Sequence, residues 1–372
     1  MLADWRHVNE ANREIAVCLG MSFWKRRRIR DLLRSSDGAP LFRRSASRAV
    51  AAARARGGAV AVWAAREPPE LAATALAAGV PIVRIEDGFL RSVGLGADFI
   101  PGVSIVADRR GIYFDPTDAS DLEVILGKAV FDPALIDRAR RLMQLLVTRG
   151  ITKYNTGGLL PDLGAPQGVC RLFVPGQVED DRSVSLGGAG IAGNLDLLMR
   201  VRAANPDAFI VYKPHPDVDA GHRQGAVPDA EAGCFADRVI RNVSAAALID
   251  AVDEVHTLTS LCGFEALLRG RRVTVYGRPF YAGWGLTTDL APIPRRARRL
   301  ALEELVAGAL ILYPRYLDPV TRLPCGPEVV IERLSHPELW RPGPLVRLRR
   351  LQGAIALRLR ERRGASSLAG AR

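Results

Sequence analysis

The 372-residue sequence has no run of about 18 uninterrupted apolar residues, which argues against a membrane-crossing helix. Its first residues, Met1-Leu2-Ala3-Asp4-Trp5-Arg6, lack the basic-then-apolar order of a secretory signal, so a cytoplasmic location is expected. Cysteine is scarce. Cys18, Cys170, Cys234, Cys262 and Cys325 are odd in number and scattered, with no CxxC spacing, which argues against both a disulfide framework and a zinc site. No metal is expected elsewhere. His7 and His336 have no ligand-spaced neighbours, and Asp217-Val218-Asp219 matches the Asp-x-Asp pattern of a nucleotide-bound Mg²⁺ only formally. Low-complexity tracts and short repeats are also missing.

What is present fits a soluble two-domain protein with ample core: 48% hydrophobic and 25% charged residues. The net charge of +12 invites a nucleic-acid reading, but it is unevenly spread. Residues 345–372 hold eight arginines against one glutamate, which is seven of the twelve net charges. There Leu348, Leu351, Ile355 and Leu359 recur at helical spacing among Arg347, Arg349, Arg350, Arg358, Arg362 and Arg363. Such a basic amphipathic helix suits an anionic membrane surface. Packing of the same leucines on the protein body is the alternative.

Strand-like and helix-like runs alternate: 15–19 then 25–33, 59–63 then 69–78, then 81–85. This is the βαβ rhythm of a parallel sheet. Residues 104–108 and 111–114 read as an inserted hairpin, followed by helices over 120–127 and 133–150. A Pro/Gly/Asn-rich stretch, 151–167, breaks the pattern as a linker or ordered loop. The rhythm restarts with strands over 170–174, 209–212, 255–258 and 272–276, and helices over 194–205 and from Ser260 to Gly270. The expected fold class is α/β, with two Rossmann-like domains (1–165 and 166–325) and a basic helical tail (326–372).

In open α/β sheets ligands bind at the carboxyl ends of strands. The first such end is Arg84-Ile85-Glu86-Asp87-Gly88-Phe89-Leu90-Arg91-Ser92, two adjacent carboxylates between two arginines, with Gly88 permitting a sharp turn. A solvated charged loop is the alternative reading. A second is Lys213-Pro214-His215-Pro216, a cation and an imidazole on restricted backbone, suited to a phosphate met without metal. A third is Thr259-Ser260-Leu261-Cys262-Gly263-Phe264-Glu265, at a strand-to-helix junction. There the helix start can hold phosphate, Gly263 can let the ligand approach and Glu265 can accept from ribose hydroxyls. Ser260 as a simple helix cap is the alternative. Weaker contacts are expected from Lys153 and Asn155, from Gln177, Glu179 and Asp180, and from Tyr281 and Trp284, the last two serving as a sugar or base platform or as an interdomain wedge.

Taken in order, these segments, together with Lys153-Tyr154-Asn155, Val174-Pro175-Gly176-Gln177-Val178-Glu179-Asp180-Asp181 and Phe280-Tyr281-Ala282-Gly283-Trp284-Gly285, resemble the KpsC-type capsule polysaccharide biosynthesis proteins from about residue 15 to 319. KpsC itself carries two transferase modules in tandem; the single module here is worded more like the second. The resemblance implies a GT-B-like β-Kdo glycosyltransferase that takes the keto sugar acid Kdo from CMP-Kdo, with retention, and adds it to a Kdo-primed phospholipid. It implies no cofactor or metal, a place at the inner-membrane surface and contact with other capsule biosynthesis or export proteins, and no nucleic-acid partner. On that basis Asp87 is expected as nucleophile and Glu86 as base or positioner, with exchange of these two roles as the alternative, and Arg84 and Arg91 are expected to keep Asp87 ionised and to be available to the Kdo carboxylate. Lys213, His215, Thr259, Ser260, Gly263 and Glu265 are expected around the nucleotide. Transfer of another CMP-activated keto sugar, such as sialic acid, is the nearest alternative; a non-catalytic module using the basic tail is a further one.

Overall fold

The computed structural model of the chain describes residues 8, 10–96, 99–340 and 346. Two sheets organise it. In the first, β1 (Ile15–Leu19), β2 (Leu41–Arg43), β3 (Ala59–Trp63) and β4 (Ile82–Asp87) run parallel, and β5 (Ser104–Asp108) lies antiparallel beside β4. The second contains β6 (Arg171–Pro175), β7 (Phe209–Lys213), β8 (Arg238–Val239), β9 (Glu254–Thr257), β10 (Arg272–Val275) and β11 (Thr288–Asp289). All of its pairings are parallel, in the order β11-β10-β9-β6-β7-β8. β1 and β3 are apolar and buried along their whole length, as inner parallel strands covered on both faces must be. Helices Arg26–Leu32, Ala46–Ala55 and Leu71–Ala78 make the crossovers between the first four strands.

Local chemistry sets the ends of the longest helix, Pro133–Thr148. The Asp132 carboxylate accepts from the Leu135 N–H at 2.8 Å and Pro133 supplies a preformed first-turn φ, while Ala139, Leu142 and Leu146 face the core. One buried cluster runs through both sheets, from Val103 and Phe114 to Phe173, Val255 and Phe264. The cleft between the sheets therefore stands on shared packing rather than on a thin linker. Segment 151–167 bridges the two units. Gly158 donates to Asn242 O at 2.7 Å and accepts from the Ser244 N–H at 3.0 Å.

The structure corrects two readings. Strands β12 (Pro314–Leu317) and β13 (Pro324–Cys325), placed from sequence in the second domain, complete the first sheet in the order β13-β12-β5-β4-β3-β1-β2. β5 would otherwise present an open edge. β12 pairs it antiparallel, with Pro314 opposite Val106 and Tyr316 opposite Ser104, and the Tyr313 hydroxyl donates to buried Asp108 at 2.8 Å. The expected hairpin partner of β5, residues 111–114, is not a strand. The Asp108 carboxylate accepts from the backbone N–H groups of Arg110 (2.9 Å), Gly111 (2.8 Å) and Asp121 (2.8 Å), which turns the chain away and sends Ile112 and Phe114 into the core.

No helix among the described residues is long and apolar enough to cross a membrane. The basic helix expected over 345–372 lies outside the described residues apart from Val346.

Candidate active site

Because β1, β3 and β4 are parallel, their carboxyl ends share one edge of the first sheet; β6, β7 and β9 do the same in the second. The two edges face each other across a cavity of about 760 Å³. Glu86 and Asp87 line it from the first sheet, and Lys213, His215, Thr259, Ser260 and Glu265 from the second.

Asp87 closes β4. The chain must then turn over β5, and Gly88 is required there because a Cβ would collide with Ser104 Oγ. Asp87 Oδ2 accepts from Arg91 Nε at 3.0 Å and lies 3.4 Å from Lys25 Nζ. Burial alone would raise its pKa, but Arg91 and Lys25 outweigh this and hold the carboxyl well below the usual range. Glu86 behaves oppositely. Burial, with a further push from Asp87, raises it to about 7 against the opposing pull of Lys25 and the Asp87 N–H, which donates to Oε1 at 3.0 Å. Two neighbouring carboxyls thus differ near neutral pH: Asp87 is ionised and Glu86 exchanges a proton. That split is the usual signature of separate nucleophile and acid/base roles.

Arg91 is only 2% exposed, and each of its three nitrogens has a partner: Asp87, Ser92 Oγ at 2.7 Å and Ile100 O at 3.0 Å. It holds Asp87 in place. Its guanidinium also lies 6.0 Å from the Tyr154 ring, which meets the His215 ring edge-on at the same centroid distance, so the two halves of the site touch through these side chains.

On the second wall, His215 Nδ1 accepts from the Asp217 N–H at 3.1 Å, which leaves Nε2 as the protonated ring nitrogen. Burial, with Lys153 and Lys213 nearby, pushes its pKa down to about 3. At neutral pH His215 is therefore a neutral hydrogen-bond donor and Lys213 supplies the cation; the charge of Lys213 is itself disfavoured by burial. Ser260 caps the helix Leu261–Leu268, its Oγ accepting from the Cys262 N–H at 3.2 Å. Among the described residues, no group of three or more His, Cys, Asp or Glu side chains is placed to hold a metal ion.

Residues 58–163 and 165–316 match the model of the family described as capsule polysaccharide biosynthesis protein. The chain belongs to this family. It is 41% identical over 334 residues to the capsule polysaccharide modification protein LipA of Neisseria meningitidis, covering 90% of this chain and 47% of LipA. With the lipopolysaccharide-processing protein LpsZ of Rhizobium meliloti it shares 44% identity over 245 residues, 65% of this chain and 56% of LpsZ. It thus spans about half the length of the curated relatives it matches. Among solved structures it is similar to the β-Kdo 2,4 transferase of Thermosulfurimonas dismutans KpsC, with TM-score 0.75 and 32% identity over 87% of this chain and 98% of that one. It is also similar to the β-Kdo 2,7 transferase of the same protein, with TM-score 0.72 and 36% identity over 87% and 100%. The mixed α/β architecture, two sheets facing across a cleft, is accordingly GT-B-like.

In this family member several expected site residues do other work. Arg84 points away from Asp87 because side chains alternate along a strand, and it is held by Glu67 through Nε at 2.6 Å and Nη2 at 2.9 Å. Lys25, not singled out from sequence, takes the place expected of Arg84. Gly263 faces Tyr281 rather than a ligand: an added Cβ would collide with the Tyr281 hydroxyl. Tyr281 donates to Ser260 O at 2.5 Å, and Trp284 donates to Phe280 O at 2.9 Å, so both are buried braces rather than a platform. Glu179 accepts from the Asn194 N–H at 2.8 Å and anchors the start of helix Asn194–Ala204.

Asn155 stays outside the cavity lining and ties the bridging segment to Ser92 O at 3.0 Å. Gln177 does line the cavity, but its amide is spent on Thr259, donating to Oγ1 at 2.8 Å and accepting from N at 3.0 Å. Asp180 lines it too, paired with Arg223 at 3.2 Å. Glu265, raised to about 7 by burial, accepts the Lys153 N–H at 2.8 Å, fastening the bridging segment to the second domain, while Lys153 itself lines the cavity.

Proposed function

We propose that this protein is a capsule polysaccharide biosynthesis glycosyltransferase that moves Kdo from CMP-Kdo, with retention, to a Kdo-primed phospholipid acceptor at the inner-membrane surface, in β linkage. The observation that carries the reading is the Glu86/Asp87 pair, with opposed proton affinities, facing Lys213, His215 and the start of helix Leu261–Leu268 across one cavity. The Kdo transferase activity of its structural relatives supplies the sugar.

In the first step a carboxylate oxygen of Asp87 bonds to the anomeric carbon as the bond to the CMP phosphate oxygen breaks. CMP leaves with the electron pair. Lys213 meets its phosphate with charge, His215 with the Nε2–H, and the start of helix Leu261–Leu268 with backbone dipole. Because Arg84 and Arg91 are both committed, the donor carboxylate falls to Lys153, whose Nζ stands 5.4 Å from the Tyr154 ring centroid. In the second step the acceptor oxygen displaces Asp87 while Glu86 takes the acceptor's proton. Two inversions give net retention. Incubating the protein with CMP-Kdo and a synthetic Kdo-primed lipid, then reading the new linkage by NMR, tests this: a β-Kdo product supports it, and transfer of only another keto sugar, or an α product, contradicts it.

A further inference from the structure

The cavity extends past Asp87 along a wall that the chemistry above leaves unused. The carboxyl ends of β1 and β3 build it, placing Ser22, Trp24, Trp63 and Arg66 there, with Phe99 added from the loop between β4 and β5. Lys25 joins this wall to the carboxylate. Its Nζ stands 3.2 Å over the Trp63 ring, 5.3 Å from the Trp24 ring and 3.4 Å from Asp87 Oδ2. Trp24 packs on Phe99 at 5.5 Å, and Phe99 on Phe23 at 6.4 Å; Phe23 is 67% exposed. An aromatic path therefore leads from the nucleophile to the protein surface. Phe99 sits at φ +64°, a conformation an aromatic residue keeps only where its surroundings impose it.

Charge distinguishes one residue on this wall. Lys25 and Arg91 are paired with Asp87, and Arg84, outside the cavity, with Glu67. Arg66 donates from Nη1 to the neutral Ser22 Oγ at 2.7 Å and has no carboxylate partner among the described residues. It is a solvent-exposed cation at the cavity wall, free of any carboxylate among the described residues.

We propose that Ser22, Trp24, Arg66 and Phe99 form the acceptor subsite, and that it takes the carboxylate-bearing end of an anionic sugar chain. The sugar ring lies on the Trp24/Phe99 face and its carboxylate on the Arg66 guanidinium, which leaves the rest of the chain to exit past Phe23. The assignment rests on the transferase reading and names where that reaction's second substrate binds.

The test uses initial rates with CMP-Kdo and a short Kdo glycoside, offered with its free carboxylate or as the carboxamide. The wild-type protein favours the carboxylate in kcat/KM by about 10- to 100-fold, the range of a charge-assisted pair. In Arg66→Ala the KM for the carboxylate acceptor rises by about that factor and the preference disappears, while kcat and the CMP-Kdo KM change less than about twofold. Arg66→Lys restores part of the preference. Trp24→Ala raises KM for both acceptors alike. A preference undiminished in Arg66→Ala overturns the subsite, whereas a wild-type protein that releases no CMP from CMP-Kdo overturns the transferase reading instead.

Discussion

The split between Glu86 and Asp87 has a direct kinetic consequence. If Glu86 accepts the acceptor's proton it must be ionised to act, and its carboxyl is raised to about 7. The acceptor step then loses rate as pH falls through that value. With one proton at about 7, roughly one-tenth of Glu86 is ionised at pH 6 and nine-tenths at pH 8, so kcat at saturating acceptor is about tenfold lower at the acidic end. Asp87, held below the usual range by Arg91 and Lys25 against its burial, stays ionised throughout and adds no limb. Lys25 sharpens the test, because its positive charge opposes the rise in Glu86 more strongly than any other neighbour does. Lys25→Met therefore moves the acid limb upward by on the order of one unit. Glu86→Gln removes the limb and lowers kcat by about 10²- to 10⁴-fold. Transfer assays from pH 5 to 9 on the three proteins suffice. A wild-type limb near the ordinary carboxylate range, or one that persists in Glu86→Gln, would refute the assignment of the proton to Glu86.

Two further outcomes follow from the same geometry. His215→Ala weakens CMP binding in calorimetry by about 10-fold, because a buried donor to the phosphate is lost; His215→Asn retains more affinity than alanine, since its amide can still donate. Arg91→Ala lowers kcat by about 100-fold or more through a misplaced Asp87, whereas Arg84→Ala costs less than about threefold in kcat and lowers stability by about 1 kcal/mol or less, as for a partly exposed pair, read by thermal melting.

Most of the sheet pattern is legible in the sequence because strand and helix runs are bounded by strong punctuation. The carboxylates of β4, the Lys-Pro-His-Pro turn after β7 and the Ser260 helix start each follow an apolar strand, and the parallel topology brings them to facing edges. What was less legible depends on partners distant in sequence. Arg84 looks equivalent to Arg91 until the alternation of β4 sends it to Glu67, seventeen residues earlier. Gly263 reads as a ligand-approach glycine, yet Tyr281 from a later loop fills the space. Tyr281 reads as a platform residue, yet its hydroxyl donates inside the core to Ser260 O, 21 residues earlier. Lys25 could have been found by the rule that exposed Arg84 to scrutiny, since it lies just past the carboxyl end of β1. The return of β12 and β13 to the first sheet leaves no local trace, because it is decided by the open edge of β5.

Trapping the glycosyl-enzyme tests the central claim most directly. In Glu86→Gln the first displacement still proceeds and the second is slowed, so incubation with CMP-Kdo alone should shift the intact mass by one Kdo residue, and peptide mapping should place it on Asp87. An adduct on the residue-86 side chain or elsewhere, or an Asp87→Ala protein that still forms β-Kdo product, would contradict it.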